Sequence, residues 1–373
     1  MTRIKKKIGI LTSSRADYGI LKDLILLLQK NKKVRTNVLI TGSHLAKNFG
    51  YSIIDIKKDK IRNLSKIKSF VENTNKFSII KSLSLSFVTF ANYIKKNKLS
   101  LFLILGDRYE LLPFCYTALL FKIPIIHIHG GEKTNFQLDD INRKLYSNMA
   151  SYHFVSNSLH KKNVQKIIEK KDNVYNIGSL SLSSINKFKF SNIKELAKKY
   201  KINLRKKIII VTFHPETIFY DRSYFGLKNL LLVLNEFRNF TIIFTGSNAD
   251  ENGIKFNELI KIFCKKNTNS YFFTNLGRQD YFSFLKIAHT VIGNSSSGII
   301  EAPSISRKVI NIGYRQNGRV RSKSVINVNY EKKNIKKALL YKMIKKKYKN
   351  PYYKENSVSK AASIIFKIIN NTK

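Results

Sequence analysis

Residues 101–132 read LFLILGDRYELLPFCYTALLFKIPIIHIHGGE. An apolar run, Leu101–Leu105, is followed by a polar loop, a helical stretch at Glu110–Leu120 and a second apolar run at Ile123–Ile128. A strand, a helix and a second strand in this order predict a βαβ unit, because parallel strands need a crossover of helix length. The polar residues directly after each run stand where open parallel sheets bind ligands, beyond the carboxyl ends of the strands.

The same alternation of apolar runs and amphipathic stretches extends along all 373 residues, a length that suits two domains. The first series of strands is predicted at Ile8–Thr12, Val34–Thr41, Leu101–Leu105, Ile123–Ile128, Tyr152–Ser156 and Val174–Ile177. The second is predicted at Lys207–Phe213, Phe240–Thr245, Ser270–Thr274, Thr290–Gly293, Lys308–Ile312 and Ser324–Val328. Between them, Gly178–Asn192 is rich in Ser and Asn and indicates a linker. We therefore predict an α/β protein with two doubly wound, Rossmann-like domains, over 1–180 and 181–355. We also predict a C-terminal helix over 356–373, for which one possible position is against the first domain.

The composition describes a strongly basic chain that can bury a core. Hydrophobic residues make up 43%, and 69 Lys+Arg against 23 Asp+Glu give a formal net charge of +46. The positive charge is spread along the chain in short clusters, and Asn and Ile, whose codons are AT-rich like those of Lys, are also abundant. We attribute the charge to genomic base composition and expect no nucleic-acid partner. The charge would still help to attract an anionic ligand.

Cysteine usage and apolar segments indicate the compartment. The two cysteines, Cys115 and Cys264, lie in apolar surroundings, which excludes a disulfide framework and fits a reducing cytosol. The basic start, Met1–Lys7, precedes an apolar run too short for a signal peptide. The most membrane-like stretch, Leu111–Ile128, contains Lys122 followed by Pro124 and is better explained as a buried helix leading into a buried strand. We expect a cytoplasmic protein without membrane contact.

The loop GNSSSG at Gly293–Gly298 opens a predicted helix and is a candidate phosphate site. Small residues let backbone N–H groups approach a phosphate, and the helix N-terminus favours negative charge. Ser and Gly also cap helices for structural reasons alone. Glu301, one turn on, could accept hydrogen bonds from ribose hydroxyls or complement the helix dipole. Neither Gly-x-Gly-x-x-Gly nor a Walker A sequence occurs, which argues against a dinucleotide dehydrogenase or a P-loop NTPase.

Arginines follow strands in both predicted domains of a chain that otherwise prefers lysine. They are Arg15, Arg108, Arg315, Arg319 and Arg321. A guanidinium matches phosphate or carboxylate oxygens bidentately, whereas lysine acts only as a point charge. Arginines at strand ends in both domains indicate a diphosphate bound in a cleft between them.

Carboxylates and histidines at strand ends of the first domain are candidates for proton transfer. The carboxylates are Asp107, Glu132, Asp139 and Asp140. Paired carboxylates can serve as general base and general acid, while helix capping or salt bridging is the structural alternative. His127 and His129 lie close to Glu132, but a third ligand at metal spacing is missing, so we predict no metal site. His214 could contact a phosphate, move a proton, or be a buried structural imidazole.

These motifs match a known family in order and spacing. They are TSSRADYG (12–19), TGSH (41–44), LGDRYE (105–110), HIHGGEKT (127–134), LDDINR (138–143), FHPET (213–217), GSNAD (246–250), GNSSSGIIEAPS (293–304) and NIGYRQNGRVRSKSVI (311–326). Over nearly the whole chain the sequence resembles the hydrolysing UDP-N-acetylglucosamine 2-epimerases of bacterial sialic-acid synthesis. The resemblance implies a GT-B-like fold, with two Rossmann-like domains and an interdomain active-site cleft.

The resemblance also implies a reaction in which UDP-N-acetylglucosamine and water give N-acetylmannosamine and UDP. A base takes the proton at C2 while UDP leaves from C1, which forms a 2-acetamidoglucal. Water then adds, and C2 is reprotonated from the opposite face. This scheme needs two proton-transfer groups and stabilisation of the departing diphosphate. It implies no nicotinamide or metal cofactor, a UDP-sugar as the partner, and a homo-oligomer, either dimer or tetramer.

The resemblance assigns roles residue by residue. The residues at catalytic positions are Asp107, His129, Glu132, Asp139 and Arg143. The residues at nucleotide-contacting positions are Arg15, Arg108, His214, Asn248, Ser295, Ser296, Glu301 and Arg315. Many members have HIEGGE where this chain has HIHGGE, so either His129 or Glu132 moves the proton. Lys144 stands where the family usually has a histidine after Arg143.

Two other functions share these features. The same fold could act on a UDP-2,4-diacetamido-trideoxyhexose or on GDP-N-acetylglucosamine in a legionaminic-acid route. The sequence does not distinguish these substrates, because it does not identify the residues that surround C4 and C6 of the sugar. A GT-B glycosyltransferase would share the diphosphate loops. It would, however, leave Asp107 and Asp139 without a role.

Overall fold

The computed structural model describes residues 6–46, 51–68, 76–134, 138–216, 219–247, 252–305, 308–343 and 348–371. The strands are β1 (Lys6–Thr12), β2 (Val34–Ile40), β3 (Leu64–Lys66), β4 (Leu101–Leu105), β5 (Ile125–Ile128), β6 (Tyr152–Val155), β7 (Val174–Asn176), β8 (Lys207–Thr212), β9 (Phe240–Thr245), β10 (Ser270–Phe273), β11 (Thr290–Gly293), β12 (Val309–Ile312) and β13 (Val325–Val328). The helices are α1 (Arg15–Gln29), α2 (Ile53–Lys58), α3 (Lys76–Lys96), α4 (Leu112–Leu120), α5 (Leu138–Met149), α6 (Ser158–Ile167), α7 (Ile193–Tyr200), α8 (Tyr220–Leu234), α9 (Gly253–Lys266), α10 (Gly277–Ile287), α11 (Ser296–Ile300), α12 (Ala302–Ile305), α13 (Lys332–Leu340) and α14 (Ser357–Asn371). Short 3₁₀ turns lie at Gly42–Leu45, Tyr109–Leu111, Leu180–Leu182 and Ile185–Lys187.

The strands form two parallel sheets. The first has the order β3-β2-β1-β4-β5-β6-β7, and the second has the order β10-β9-β8-β11-β12-β13. In each sheet the order reverses once, between β1 and β4 and between β8 and β11, where strand pairing remains parallel. Such a reversal is the topological switch point of a doubly wound sheet. The predicted α/β class with two doubly wound, Rossmann-like sheets is therefore confirmed.

Every predicted strand is present, with ends that move by one or two residues. β5, for example, begins at Ile125 where the sequence pattern placed Ile123. The sequence missed β3, a short edge strand that pairs with β2 and is only partly buried. Its residues, Leu64, Ser65 and Lys66, form no apolar run, so the pattern that marks a buried strand is absent there.

The described chain divides into two compact units. The first takes residues up to Glu132, Leu138–Ser183 and the segment from Tyr352 onward; the second takes Ser184–Pro351 with a short piece after Glu132. The core of the second unit lies against one face of its sheet and includes Val211, Phe244 and Phe256, all fully buried.

The last helix, α14, belongs to the first unit because it packs against α1. Ala361 and Ile365 of α14 are fully buried in the same cluster as Leu21, Leu24 and Leu28 of α1. Complete burial of an isoleucine or leucine side chain contributes about 1.5–3 kcal/mol. Helix α14 therefore completes the core that β1 and α1 begin.

The opposite face of the first sheet is covered by α3 and α4. The ring of Phe90 on α3 lies 4.9 Å from that of Phe114 on α4 and 5.2 Å from that of Phe102 on β4. Among the helices that the structure describes, α3 is long and apolar enough to cross a membrane by length and composition alone. The sequence pattern had drawn attention to 111–128 instead, which forms α4 and β5 and contributes to the core.

Candidate active site

Arg143 on α5 connects the loops that follow β4 and β5. Its side chain is 2% exposed, and its Nη2 donates to Asp107 directly after β4. Its Nη1 donates to the backbone carbonyl of Glu132, 2.9 Å away, and lies 3.5 Å from Asp140 on the preceding turn of α5. A guanidinium can be buried when fixed oxygens replace its water. The structure thus brings together Asp107, Glu132 and Arg143 of the predicted catalytic residues.

The turn after β5 places the two alternatives for proton transfer. The strand ends at Ile128; His129 has φ 66° and Gly131 has φ 77°. A Cβ on Gly131 would collide with the carbonyl oxygen of His160, so this close approach requires glycine. Both candidate side chains are nearly buried, with 7% of His129 and 5% of Glu132 exposed.

His127 braces the turn in front of Asp107. It is fully buried in β5, with Nε2 2.8 Å from the carbonyl oxygen of Gly106 and Nδ1 3.1 Å from Ser147 Oγ. Burial lowers the pKa of His127 to about 4, so the ring is neutral at pH 7. A neutral ring that donates from Nε2 to Gly106 has Nδ1 left to accept from Ser147. Because both nitrogens bind protein groups, His127 has a structural role.

The first turn of α5 carries Asp139 and Asp140. Carboxylates in this position complement the helix dipole. Asp140 pairs with Lys144 at 3.0 Å as well as facing Arg143. The Lys144 side chain is 54% exposed. The residue that departs from the family pattern therefore lies largely in solvent, beside a carboxylate on its own helix.

Two arginines of the first unit that the sequence assigns to the nucleotide, Arg15 and Arg108, lie shortly after the ends of β1 and β4. Arg15 is the first residue of α1, and burial lowers its pKa while Asp55 opposes that shift. Its turn is held by Asp17, whose carboxylate accepts from the backbone N–H of Ser13 and of Ser14, each at 2.8 Å. Arg108 donates to Glu110 through Nη2 at 2.7 Å and Nε at 3.2 Å.

His44 is a buried histidine that the motif TGSH contained and to which the sequence gave no role. Its Nε2 lies 2.9 Å from Thr12 Oγ1, and its Nδ1 lies 2.7 Å from Ser52 Oγ. The neighbouring Ser43 donates to the carbonyl oxygen of Ser13 at 3.0 Å. The turn after β2 therefore supports the turn after β1, where Arg15 begins α1. A histidine three residues after the end of a predicted strand was the available signal.

In the second unit, Asn294 ties the loop after β11 to the loop after β8. It is fully buried; its Oδ1 accepts from the His214 backbone N–H at 2.7 Å, and its Nδ2 donates to the His214 carbonyl at 2.8 Å. Gly293 has φ 144°, and a Cβ there would collide with the carbonyl oxygen of Thr212. The GNSSSG loop thus lies directly against the end of β8.

The loop after β12 joins the same network. The Asn294 carbonyl accepts from Gln316 Nε2 at 2.8 Å and from Arg315 Nη1 at 3.3 Å. The Arg315 backbone N–H donates to Glu216 Oε1 at 3.0 Å, and the Tyr330 hydroxyl donates to the same oxygen. Sequence reasoning missed Glu216 and Gln316, although a carboxylate directly after an apolar strand of a basic chain was a usable signal.

The serines and Glu301 mark a short helical segment. Ser295 caps α11, and its Oγ accepts from the Ser297 backbone N–H at 3.4 Å. The Tyr281 hydroxyl donates to Ser297 Oγ at 3.1 Å. The sequence pattern predicted that Glu301 lies one turn inside a single helix. Instead, α11 ends at Ile300, and Glu301 lies at the boundary between α11 and α12. Asn248 lies outside the described residues.

Comparison with known proteins gives this arrangement a family. The model of the family described as UDP-N-acetylglucosamine 2-epimerase matches residues 27–366. The chain belongs to this family. The predicted resemblance is confirmed, and the Arg143 contacts of the first unit and the Asn294 network of the second unit both fall within the matched residues.

Individual relatives agree with this assignment. The chain is 39% identical to the GDP/UDP-N,N'-diacetylbacillosamine 2-epimerase (hydrolyzing) of Campylobacter jejuni, over 87% of this chain and 84% of the relative. It is 35% identical to the polysialic acid biosynthesis protein P7 of Escherichia coli, over 96% of this chain and 93% of the relative. The prediction of an enzyme of the hydrolysing 2-epimerase type is therefore confirmed.

A solved structure shares the fold. The crystal structure of the UDP-GlcNAc 2-epimerase of Neisseria meningitidis bound to UDP-GlcNAc superposes with a TM-score of 0.80 at 19% identity. It covers 97% of this chain and 100% of that chain. This likeness confirms the predicted GT-B-like fold class.

Proposed function

We propose that this chain hydrolyses a UDP-linked 2-acetamido sugar with inversion at C2, and that UDP-N,N'-diacetylbacillosamine is its preferred substrate. The 39% identical relative from Campylobacter jejuni, named for that sugar, supports this choice. The substrate that the sequence motifs first indicated, UDP-N-acetylglucosamine, is the second candidate. Either product, a 2-epimerised amino sugar, would feed the synthesis of a sialic-acid-type sugar.

The observation that carries the proposal is the double role of Arg143. One buried guanidinium holds the Asp107 side chain and the backbone of Glu132 at the same time. The Asp107 carboxylate and the backbone of Glu132 are therefore fixed at the ends of neighbouring strands, where a ligand of a parallel sheet is expected. Elimination and hydration need one proton-transfer group each, and carboxylates at these two positions meet that requirement.

In the proposed reaction, Glu132 or His129 removes the proton from C2, and the C1–O bond to UDP breaks as the electron pair forms the C1–C2 double bond. A water molecule then adds its hydroxyl to C1, while Asp107 or Asp139 supplies the proton that returns to C2 on the opposite face and is reprotonated by the other proton of that water. The base releases the proton taken from C2 to solvent. Arg143 positions the carboxylates throughout. The net change is substrate plus water to the free 2-epimer plus UDP.

The nucleotide is assigned to the remaining predicted residues. In the second unit these are His214, Asn248, Ser295, Ser296, Glu301 and Arg315, and in the first unit Arg15 and Arg108. Support comes from the Asn294 network, which preorganises the loops after β8, β11 and β12 through buried hydrogen bonds. Preorganised donors stabilise developing charge on a leaving group without reorganisation. Arg315 would provide such a donor for the diphosphate.

Product analysis by NMR tests the reaction and the substrate together. Each UDP-sugar is incubated alone with the enzyme in D₂O, without added NAD and with EDTA present. We expect UDP, a free sugar of inverted C2 configuration and deuterium at C2, with a higher kcat/KM for the diacetamido sugar. Release of UDP with retained configuration at C2 would contradict the epimerase mechanism. A higher kcat/KM for UDP-N-acetylglucosamine would reverse the substrate choice.

The same experiment separates the epimerase from a GT-B glycosyltransferase. A glycosyltransferase needs an acceptor and leaves C2 unchanged. Turnover in the absence of any acceptor, with inversion at C2, is expected only from the epimerase. Activity that appears only after a sugar or lipid acceptor is added would favour the glycosyltransferase.

We also propose that the enzyme is a cytoplasmic homo-oligomer that self-associates through the α3–α4 face, the exposed apolar side chains of these two helices. They are Phe77, Ile80, Leu85, Val88, Tyr116, Leu119 and Leu120. Two chains of net charge +46 repel each other, so a contact between copies is favoured where positive charge is sparse; on this face α4 has no charged residue and α3 has Lys81 among its exposed apolar side chains.

Sedimentation of the variant Leu120→Glu tests this face. We expect a shift to monomer, with Leu340→Glu as the control, because Leu340 is also exposed but lies in the second unit. An unchanged oligomer in Leu120→Glu, or a monomeric wild-type chain, would contradict self-association through α3 and α4.

A further inference from the structure

Glu132 stands at the end of a line of buried polar side chains that begins on α6. Ser156 Oγ lies 3.5 Å from Glu132 Oε1, and His160 Nδ1 lies 2.9 Å from Ser156 Oγ. Asn157 Nδ2 lies 3.2 Å from His160 Nε2. Ser156 is 0%, His160 1% and Asn157 6% exposed. None of these three residues has a role in the reaction proposed above.

The chemistry of the groups fixes the direction of this line. Asn157 Oδ1 accepts from the His160 backbone N–H at 2.9 Å, so the amide nitrogen is the group that faces the ring. An amide nitrogen only donates; His160 Nε2 must therefore accept, and a neutral ring then carries its hydrogen on Nδ1. The Nδ1–H donates to Ser156 Oγ, and the single hydroxyl hydrogen of Ser156 is left for Glu132 Oε1.

The backbone around Glu132 is held from two sides. On the α6 side, Asn163 Nδ2 donates to the Gly131 carbonyl at 2.8 Å, and Gly131 lies against the carbonyl oxygen of His160. On the α5 side, Arg143 donates to the Glu132 carbonyl at 2.9 Å. The backbone from which the Glu132 side chain extends is therefore held in place, and a side-chain donor can determine the orientation of the carboxylate.

We propose that Ser156, His160 and Asn157 are positioning residues that keep the Glu132 carboxylate ionised and oriented as the base for C2. This inference rests on the proposed function and assigns the base to Glu132, where the motifs left His129 open. A hydrogen bond donated to a carboxylate favours its charged form. The Ser156 contact of 3.5 Å is long, and catalytic hydrogen bonds of this kind shorten in the substrate complex.

Other charged and titratable groups surround Glu132, and none of them is replaced in the variant Ser156→Ala. They are His127 and His129 on its own segment, Asp107 after β4, Asp140 and Arg143 on α5, and His160 on α6. Burial keeps His127 neutral above a pKa of about 4, so it adds no positive charge near pH 7. A shift caused by Ser156 is therefore distinguishable from the constant effect of Arg143.

The pH dependence of kcat/KM tests the proposal. In Ser156→Ala the donor to Glu132 is lost, and we expect the acid limb to move to higher pH by about one unit, with the basic limb unchanged. Ser158→Ala is the matched control, because Ser158 is an exposed serine two residues further along, at the start of α6, and contacts Asn176. An acid limb of Ser156→Ala that coincides with that of Ser158→Ala would overturn the proposal.

Two substitutions of His160 test the direction of the line. An asparagine amide can place its N–H near the position of Nδ1, whereas a glutamine amide places it near Nε2. We expect His160→Asn to keep the acid limb near that of the wild type and His160→Gln to shift it as Ser156→Ala does. Equal limbs in the two variants would contradict the assigned direction.

A readout without turnover separates this proposal from the proposed function. In ¹⁵N NMR of the wild-type chain, His160 should be protonated on Nδ1 and not on Nε2. Protonation on Nε2 would overturn the line whatever the substrate is. If His160 is protonated on Nδ1 but neither UDP-sugar is turned over, the hydrogen-bonded line is present and the proposed function is wrong. In that case the positioning of Glu132 as a base is refuted together with the function.

Discussion

Replacing Arg143 by lysine should separate the charge of this residue from its shape. Lysine keeps the positive charge but offers a point charge in place of a planar fork, so it can serve Asp107 or the Glu132 carbonyl, not both. The ion pair with Asp107 is the stronger attraction, and we expect the 2.9 Å hydrogen bond to the Glu132 carbonyl to be lost. The backbone of the proposed base would then be held from one side only.

The size of the effect follows from the bond that is lost. A hydrogen bond from a charged donor contributes about 1.5–3 kcal/mol, and about 1.4 kcal/mol corresponds to a factor of ten in rate. A misplacement of the base by about 1 Å has a cost of a similar order, about 10²-fold. We therefore expect kcat/KM of Arg143→Lys to fall about 10- to 100-fold. The melting temperature should fall by roughly 3–10 °C.

Steady-state kinetics, calorimetric melting and UDP titration together check this prediction. UDP affinity should change little, because most of the proposed nucleotide contacts lie in the second unit. Lys144→Ala is the control: it removes a neighbouring cation that is 54% exposed, and an exposed pair contributes about 0–1 kcal/mol. An Arg143→Lys enzyme with the kcat/KM and melting temperature of Lys144→Ala would refute the bridging role of the guanidinium.

Four further predictions follow from the same geometry. Asp107→Asn should lower turnover about 10²–10⁴-fold, the range for one acid or base group, with UDP affinity unchanged by calorimetry; a near-normal rate would exclude Asp107 from proton transfer. His129→Gln should keep the acid limb of the pH profile, because Glu132 carries it, and loss of that limb would return the role to His129. Arg315→Ala should weaken UDP binding about tenfold or more, and unchanged affinity would contradict the nucleotide assignment. Burial lowers the pKa of His127 from 6.5 to about 4. The free energy of unfolding therefore does not depend on the titration of His127 above pH 6.5, where the ring is neutral in both states, and decreases by up to about 3 kcal/mol as the pH falls from 6.5 toward 4. Urea unfolding of His127→Gln should therefore depend less on pH than that of the wild type over this range; equal dependence would contradict the shift.

The fold was predictable because buried parallel strands are continuous apolar runs. Every residue of Leu101–Leu105 is apolar, so both faces of this strand must be buried in a core, and the neighbouring strands show the same pattern. Element boundaries were less predictable. The sequence pattern began the helix after β4 at Glu110, but a 3₁₀ turn at Tyr109–Leu111 precedes α4. β3 was missed because three half-buried residues at an edge need little apolar surface.

The positions of the site residues were predictable, but their partners were not. A parallel sheet brings the carboxyl ends of its strands to one edge, so Asp107 and Glu132 had to be neighbours. The contact of Arg143 with Asp107 depends on how α5 packs, which spacing does not encode. Likewise Glu216 and Asn294 act through loops from different strands, and their burial became visible only in the folded unit.

The return of α14 to the first unit has a consequence for the order of synthesis. The residues of α14 that pack against α1, such as Ala361 and Ile365, leave the ribosome after the whole of the second unit. Domains of a nascent chain generally fold in order from the N-terminus. Here the second unit begins after β1, but its synthesis is complete at Pro351, before the residues that complete the first unit have been made. The first unit must wait until α14 has been made, with the apolar face of α1 uncovered, and a chain stopped before residue 357 would expose that face permanently.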